Sequence, residues 1–416
     1  MSVQRGTACV VLDVETDTRG PLPAEWTEGP LPVPLAAGVA DRERRMTYFE
    51  PRVGESLYGS ADRPSRWHRS VTPPLPVLDG APDAPAVEAM ELLRLPPVLA
   101  SDAPRRAVLV LHLRLSGAPL EDLPRVRDLA AMRERYARLL PAGMRPLESE
   151  RKAWVLSHVT FDDGTPPEVM PEAYAAWGAR DQWLWLLASA TPVDRFPPDP
   201  EDEELFAGRV RLSADWQALV LRDGAAFVGT SPDPGGAAGF HPAAGVLVHS
   251  IYLDAFLLGR LQVLGVNLLA NALAGLPTRT AEARRLLSLE RKQIELRRAL
   301  WSSHITVHGN GNALLERFQQ QHRLPGLLAQ AGTALADAAR YVETARARRS
   351  GLAIGLLSTI GVPFAVTYSA GALWGSPGPR TFVVCTLAAV VATVVVFLAI
   401  PALRGLVSAE LRRPED

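Results

Sequence analysis

The sequence predicts an α+β protein: an N-terminal cytoplasmic α/β domain, long stalk helices and a C-terminal two-helix transmembrane hairpin. Three features of its 416 residues carry that prediction. Residues 8–14 (ACVVLDV) and 106–116 (RAVLVLHLRLS) are dense apolar runs of strand length. From residue 246 the apolar spacing turns helical and stays so. Two charge-free segments, 351–374 and 381–403, lie near the C-terminal end.

The α/β domain is assigned to residues 1–240, and residues 8–14 open it as a strand. Proline and glycine then dominate to about residue 105, in segments such as GPLPAEWTEGPLPVPL. Proline removes a donor and clashes with a preceding helical turn, so this stretch reads as loops, with one short helix at 86–95. Residues 106–116 read as the clearest strand, buried on both faces. Residues 120–140 read as a helix, with Leu123, Val126, Leu129, Met132 and Tyr136 near a 3.6-residue period. Beyond it, 154–161 reads as a strand, 171–179 as a short helix and 182–188 (QWLWLLA) as another strand. The acidic, proline-rich 192–204 reads as a surface loop. Strands at 209–212, 216–221 and 225–229 follow, the last two joined at Asp223-Gly224, where glycine accepts the positive φ of a tight turn.

Residues 241–350 read as a helical stalk. The run 246–274 is apolar throughout; 278–307 is amphipathic, with Leu286, Leu289, Gln293, Leu296, Leu300, Ser303 and Val307 forming a seam. His308-Gly309-Asn310-Gly311-Asn312 interrupts it. A last run carries Leu328, Ala331, Leu335, Ala338, Val342 and Ala345, and it leads without a breaker into the first charge-free segment. A continuous helix over 325–374 would be about 75 Å long.

The hairpin is assigned to 351–403 and a cytoplasmic tail to 404–416. A helix needs about 20 apolar residues to cross a hydrocarbon core, and both segments are long enough. Arg346, Arg348 and Arg349 precede the first span, and Arg404, Arg412 and Arg413 follow the second, whereas the turn between them holds only Arg380. The positive-inside rule then puts both termini in the cytoplasm of a multi-pass protein of the cell inner membrane. The N-terminal MSVQRGTACVVLDVETD lacks the apolar core of a secretory signal, which leaves insertion to the two spans.

A net charge of −1 offers no domain-wide basic field, so nucleic acid is not an expected partner. Cys9 and Cys385 stand at opposite ends of the chain and predict neither a disulfide framework nor a thiolate metal site.

This order of parts resembles the CorA-type divalent-cation transporter superfamily from about residue 210 to the end. Thr359-Ile360-Gly361-Val362-Pro363 is similar to the family's motif inside the first span. Ala370-Gly371, Trp374 and Gly375 match the end of that span, but Ser376-Pro377 replaces the family's Met-Asn. The resemblance implies a homo-oligomer, expected to be a pentamer, with the first span lining a pore. In that family the Gly-Met-Asn ring meets a hydrated cation through oxygen groups. This turn has no Asp, Glu or Asn and carries Arg380, which argues against magnesium selectivity.

On the pore reading, Gly355, Ser358, Thr359, Pro363, Thr367 and Ala370 line the channel, and Trp374, Gly375, Ser376 and Arg380 form its outer mouth. Gly351 and Gly355 also fit ordinary close helix packing, and Ser and Thr also bond their own helix carbonyls. His304 and His308, four apart, make a candidate metal pair, with surface or core histidines the favoured alternative. Asp162-Asp163 and the acidic 199–204 segment are candidate cation sites, with a solvated loop favoured. Trp183 and Trp185 are read as core. No nucleophile elbow, P-loop or zinc-protease motif occurs, so neither an enzyme nor a cofactor is expected.

The expected function is ion conduction by a CorA-like membrane oligomer whose cytoplasmic domain senses a ligand or partner. Its expected partners are membrane lipid, further copies of itself and a metal ion. Two alternatives remain open: a non-conducting membrane-anchored sensor or scaffold, and a triggered effector of stress or defence that permeabilises the membrane.

Overall fold

The long apolar first strand sits in the middle of the main sheet. The computed structural model describes residues 3–16, 22–32, 45–60, 62–78, 84–99, 105–231, 240–275, 283–302 and 304–373. Near the end it also describes 379–380, 383–384, 386–388 and 390–391. The chain divides into two units, Met1–Leu276 with Leu287–Leu335, and Pro277–Leu286 with Ala336–Asp416.

In the first unit, β1 (Val3–Thr16) pairs antiparallel on both sides, with β7 (Arg105–Arg114) and β9 (Trp154–Phe161). Beyond β7 come β6 (Ala86–Arg94), β5 (Arg66–Pro76) and the edge strand β2 (Thr27–Glu28). Beyond β9 come β12 (Gly224–Gly229), β11 (Trp216–Val220) and β10 (Arg209–Arg211), and β8 (Met144–Pro146) adds to the end of β1. β9 and β12 run parallel, while the other pairs in this sheet are antiparallel. A separate two-stranded ribbon joins β3 (Gly59–Ser60) and β4 (Arg63–Pro64).

Helices cover both faces, which is why the central strands read as nearly continuous apolar runs. One face packs against α2 (Pro119–Arg127), α3 (Leu129–Ala137) and α4 (Ala179–Ser189), where Leu123, Val126, Met132 and Leu184 meet Val10, Leu12 and Leu109. The other packs against α1 (Pro51–Tyr58) and a long helix made of α5 (Phe240–Leu247), a π turn (Val248–Tyr252) and α6 (Leu253–Ala274). α7 (Ala283–Leu300), α8 (Gly309–Gln321) and the start of α9 (Leu324–Leu373) complete that core through Leu296, Leu300, Leu314, Phe318 and Leu324.

Several expectations are corrected. Residues 86–95 form β6 rather than a helix: AVEAMELLR is rich in helix formers, but its backbone is paired on both sides between β5 and β7. QWLWLLA belongs to α4, not a strand; a short all-apolar run fits a buried helix equally well. The helix at 120–140 is two helices, broken at Asp128, whose side chain caps α3 through the amides of Ala130 and Ala131. The helix at 171–179 shrinks to a 3₁₀ turn, Glu172–Tyr174. The proline-rich region contributes α1 and the strands β2 to β6. The 246–274 helix, the meander β10 to β12 and the strands β1, β7 and β9 stand as read.

Among the described residues one helix, Ala243–Ala274, is long and apolar enough to cross a membrane, and 67% of its most apolar window is buried, as in a core helix. α9 is a single helix of 50 residues, about 75 Å at 1.5 Å per residue. Leu328, Ala331 and Leu335 near its start are buried. Most of 381–403 lies outside the described residues, as does the tail at 404–416.

Candidate functional site

A polar stripe crosses the apolar face of the sheet that lies beneath the long helix. Strand register builds it. Cys9 on β1 stands opposite His112 on β7. β6 sets Ala89 opposite His112 and Glu91 opposite Val110, so Glu91 lies diagonal to His112 on the same face. β5 repeats the step, with His68 opposite Glu91 and Arg66 two residues away. Thr7 shares the face with Cys9 by strand alternation.

The long helix completes the stripe from above. Its middle turn, Val248–Tyr252, is π-helical, and the Leu253 amide donates to the carbonyl of Val248, five residues back. Such a turn brings residues five apart toward one side, and π turns occur frequently at functional sites. His249 and Asp254 are five apart and both reach the stripe.

Asp254 anchors a buried ionic network. Arg45 donates to it from Nε at 2.5 Å and from Nη2 at 2.8 Å, Arg66 lies 2.9 Å from its Oδ1, and the Tyr58 hydroxyl donates at 2.7 Å. Glu91 accepts from Arg66 Nε at 2.9 Å and from Arg45 at 3.2 Å. Two guanidinium ions thus face two carboxylates, all fully buried. Burial opposes charge on Glu91, but Arg45 and Arg66 outweigh it and hold this carboxyl well below its usual range. Burial likewise disfavours charge on Arg45, and Asp254 and Glu91 reverse the effect and push it up.

Glu91 links this network to a second cluster, since His112 Nε2 lies 2.9 Å from its Oε1. His112 Nδ1 is 3.5 Å from Cys9 Sγ and 3.1 Å from His249 Nδ1, and Cys9 Sγ is 3.2 Å from His249 Nδ1. His249 Nε2 meets the Thr7 hydroxyl at 2.8 Å. Burial raises the Cys9 thiol far above its ordinary range, with Glu91 adding to the effect. Burial lowers His249, reinforced by His112 and His158. Among the described residues, Cys9, His112 and His249 are the His, Cys, Asp or Glu group whose donor atoms converge closely enough to hold a metal ion.

A third polar pin joins the helix to β1. Arg260 Nη2 lies 3.1 Å from Asp13 and 3.1 Å from Glu150. Burial, then Asp13, push Glu150 up to about 7 against the pull of Arg260.

The predicted site residues fall elsewhere. Gly355, Ser358, Thr359, Pro363, Thr367 and Ala370 all lie on α9. Arg380 is exposed, and Trp374, Gly375 and Ser376 lie outside the described residues. His304 and His308 do not share a helix face: both follow α7, His308 stands immediately before α8, and its ring stacks on Tyr48 at 4.6 Å. Val307, placed on the α7 seam, is 91% exposed beyond the helix end. Asp162, Asp163 and the carboxylates of 199–204 are exposed, and Trp183 and Trp185 are buried. A cleft of about 630 Å³ over α2 and α3 mixes Arg125, Arg135 and Arg195 with Glu121, Asp128 and Asp194 and presents no convergent set.

Sequence reasoning missed Cys9, His112 and His249 as a group: it weighed Cys9 only against Cys385 and not against histidines. A signal was present: Glu91, His112, His249 and Asp254 are ionisable residues inside otherwise apolar runs, where burial demands a partner. No family model matches the sequence, and no curated protein matches it.

Proposed function

We propose that the chain is a subunit of a CorA-like, ion-conducting membrane oligomer, a pentamer, inserted as a two-span hairpin in the cell inner membrane with both termini in the cytoplasm. The observation that carries this reading is α9. One helix begins among the buried core residues Leu324, Leu328 and Leu335 and continues into a segment that has no charge from Gly351 onward. A helix of that length is suited to pass a change in the domain to the span.

In this reading Thr359 and Thr367 face the conduction path, and Arg380 disfavours divalent cations at the outer mouth. The chain acts without catalysis. Purified protein in dye-loaded vesicles should pass monovalent ions, and Thr359→Arg or Thr367→Arg should abolish the flux while the protein remains inserted. Equal flux in all three proteins, or none from the wild type, would overturn the reading.

A further inference from the structure

We infer that Cys9, His112 and His249 form a binding site for a borderline-soft divalent transition ion of the zinc class, held through Sγ and two Nδ1 atoms. The site is separate from the proposed pore and from any magnesium site there.

The first support is the shape of the cluster. A hydrogen-bond chain links atoms in series, whereas these three are all mutually close, at 3.1, 3.2 and 3.5 Å. Tetrahedral Zn²⁺, with bonds of about 2.0 Å to nitrogen and 2.3 Å to sulfur, sets its donors roughly 3.3–3.6 Å apart. The triangle therefore needs an expansion of only a few tenths of an ångström to take the ion.

The second support is the outer hydrogen bond that each ring makes. Glu91 is an ionised carboxylate that only accepts, so His112 donates from Nε2, and in the neutral ring Nδ1 turns its lone pair inward. His249 also directs Nδ1 inward and uses Nε2 on Thr7. Outer partners of this kind, a carboxylate on one ligating imidazole and a hydroxyl on the other, orient and strengthen metal-binding histidines.

The third is the donor set. One thiolate with two imidazoles suits Zn²⁺, and three protein ligands leave a fourth position for water or another ligand. Binding replaces the Cys9 S–H proton by a metal–sulfur bond, and the proton leaves to solvent. Because a proton is released on binding, affinity should fall as pH falls. The ion would tie β1 and β7 to the helix at its π turn.

The test uses full-length protein in detergent, stripped with a chelator, loaded with Zn²⁺ or Co²⁺ and analysed for bound metal. The wild type and Cys385→Ser should retain one Zn²⁺ per chain, and Cys9→Ser and His249→Ala should not. Thr7→Val should weaken binding about tenfold through the lost outer partner. Co²⁺-loaded wild type should show a thiolate charge-transfer band that is absent from Cys9→Ser. This readout on the wild type does not depend on whether the variants fold. Wild type without stoichiometric metal, or a Co²⁺ spectrum lacking that band, would reduce the cluster to a hydrogen-bonded one and overturn the assignment. Ion flux in vesicles is measured separately, so failure of this inference and failure of the pore reading are distinguishable.

Discussion

Arg45 holds Asp254 by two hydrogen bonds, 2.5 and 2.8 Å, with both side chains sealed from solvent and the two residues 209 positions apart in the chain. The contact ties a segment beside α1 to the first turn of α6. Burying four charges is costly, so removing one partner is worse than replacing the whole network by apolar groups. Asp254→Asn leaves two guanidinium ions facing Glu91 alone. Chemical denaturation should show a loss of about 3–5 kcal/mol. A loss below about 1 kcal/mol, the scale of an exposed pair, would mean that the network is not sealed.

Glu150 makes stability depend on pH in one direction. Its carboxyl titrates near 7 in the folded chain and near 4.5 in the unfolded one, so the folded chain holds a proton between those values that the unfolded chain releases. Folding through this group is therefore favoured as pH falls from about 7 to about 4.5 and disfavoured as it rises. Glu150→Gln should flatten that slope in thermal melts across the window, leaving higher stability than wild type above pH 7.

His322 works in the opposite sense. Burial, then Arg260 and Arg222, lower it to about 4 from 6.5. The unfolded chain takes up a proton in this window that the folded chain refuses, so stability is lost as pH falls through it. His322→Gln should lessen the acid-side loss, and a melt series below pH 6.5 measures it.

Gly259 on α6 is a packing requirement. A Cβ added there would overlap the ring of Phe318 on α8, which is itself wedged against Trp154 and Phe256. Gly259→Ala should cost about 1–3 kcal/mol by overpacking, read by denaturant titration, and Phe318→Leu in the same chain should recover part of it.

Much of the sheet was legible because β1, β7 and β9 are rich in apolar residues and buried on both faces. The helix at 246–274 was legible because its apolar run is long, whereas α8 was not, because its first residues, Gly309-Asn310-Gly311-Asn312, read as a breaker. β6 and α4 were not, since AVEAMELLR and QWLWLLA take their state from their neighbours rather than from local preference. The Cys9–His112–His249 cluster depends on register: Cys9 and His112 are 103 residues apart, and only the antiparallel pairing sets them opposite each other. The π turn that aims His249 leaves no local sequence mark either.

The most direct test of the central claim is a subunit count of the full-length protein in detergent by electron microscopy. The account predicts a ring of five subunits with α9 surrounding the axis. A monomer would contradict it.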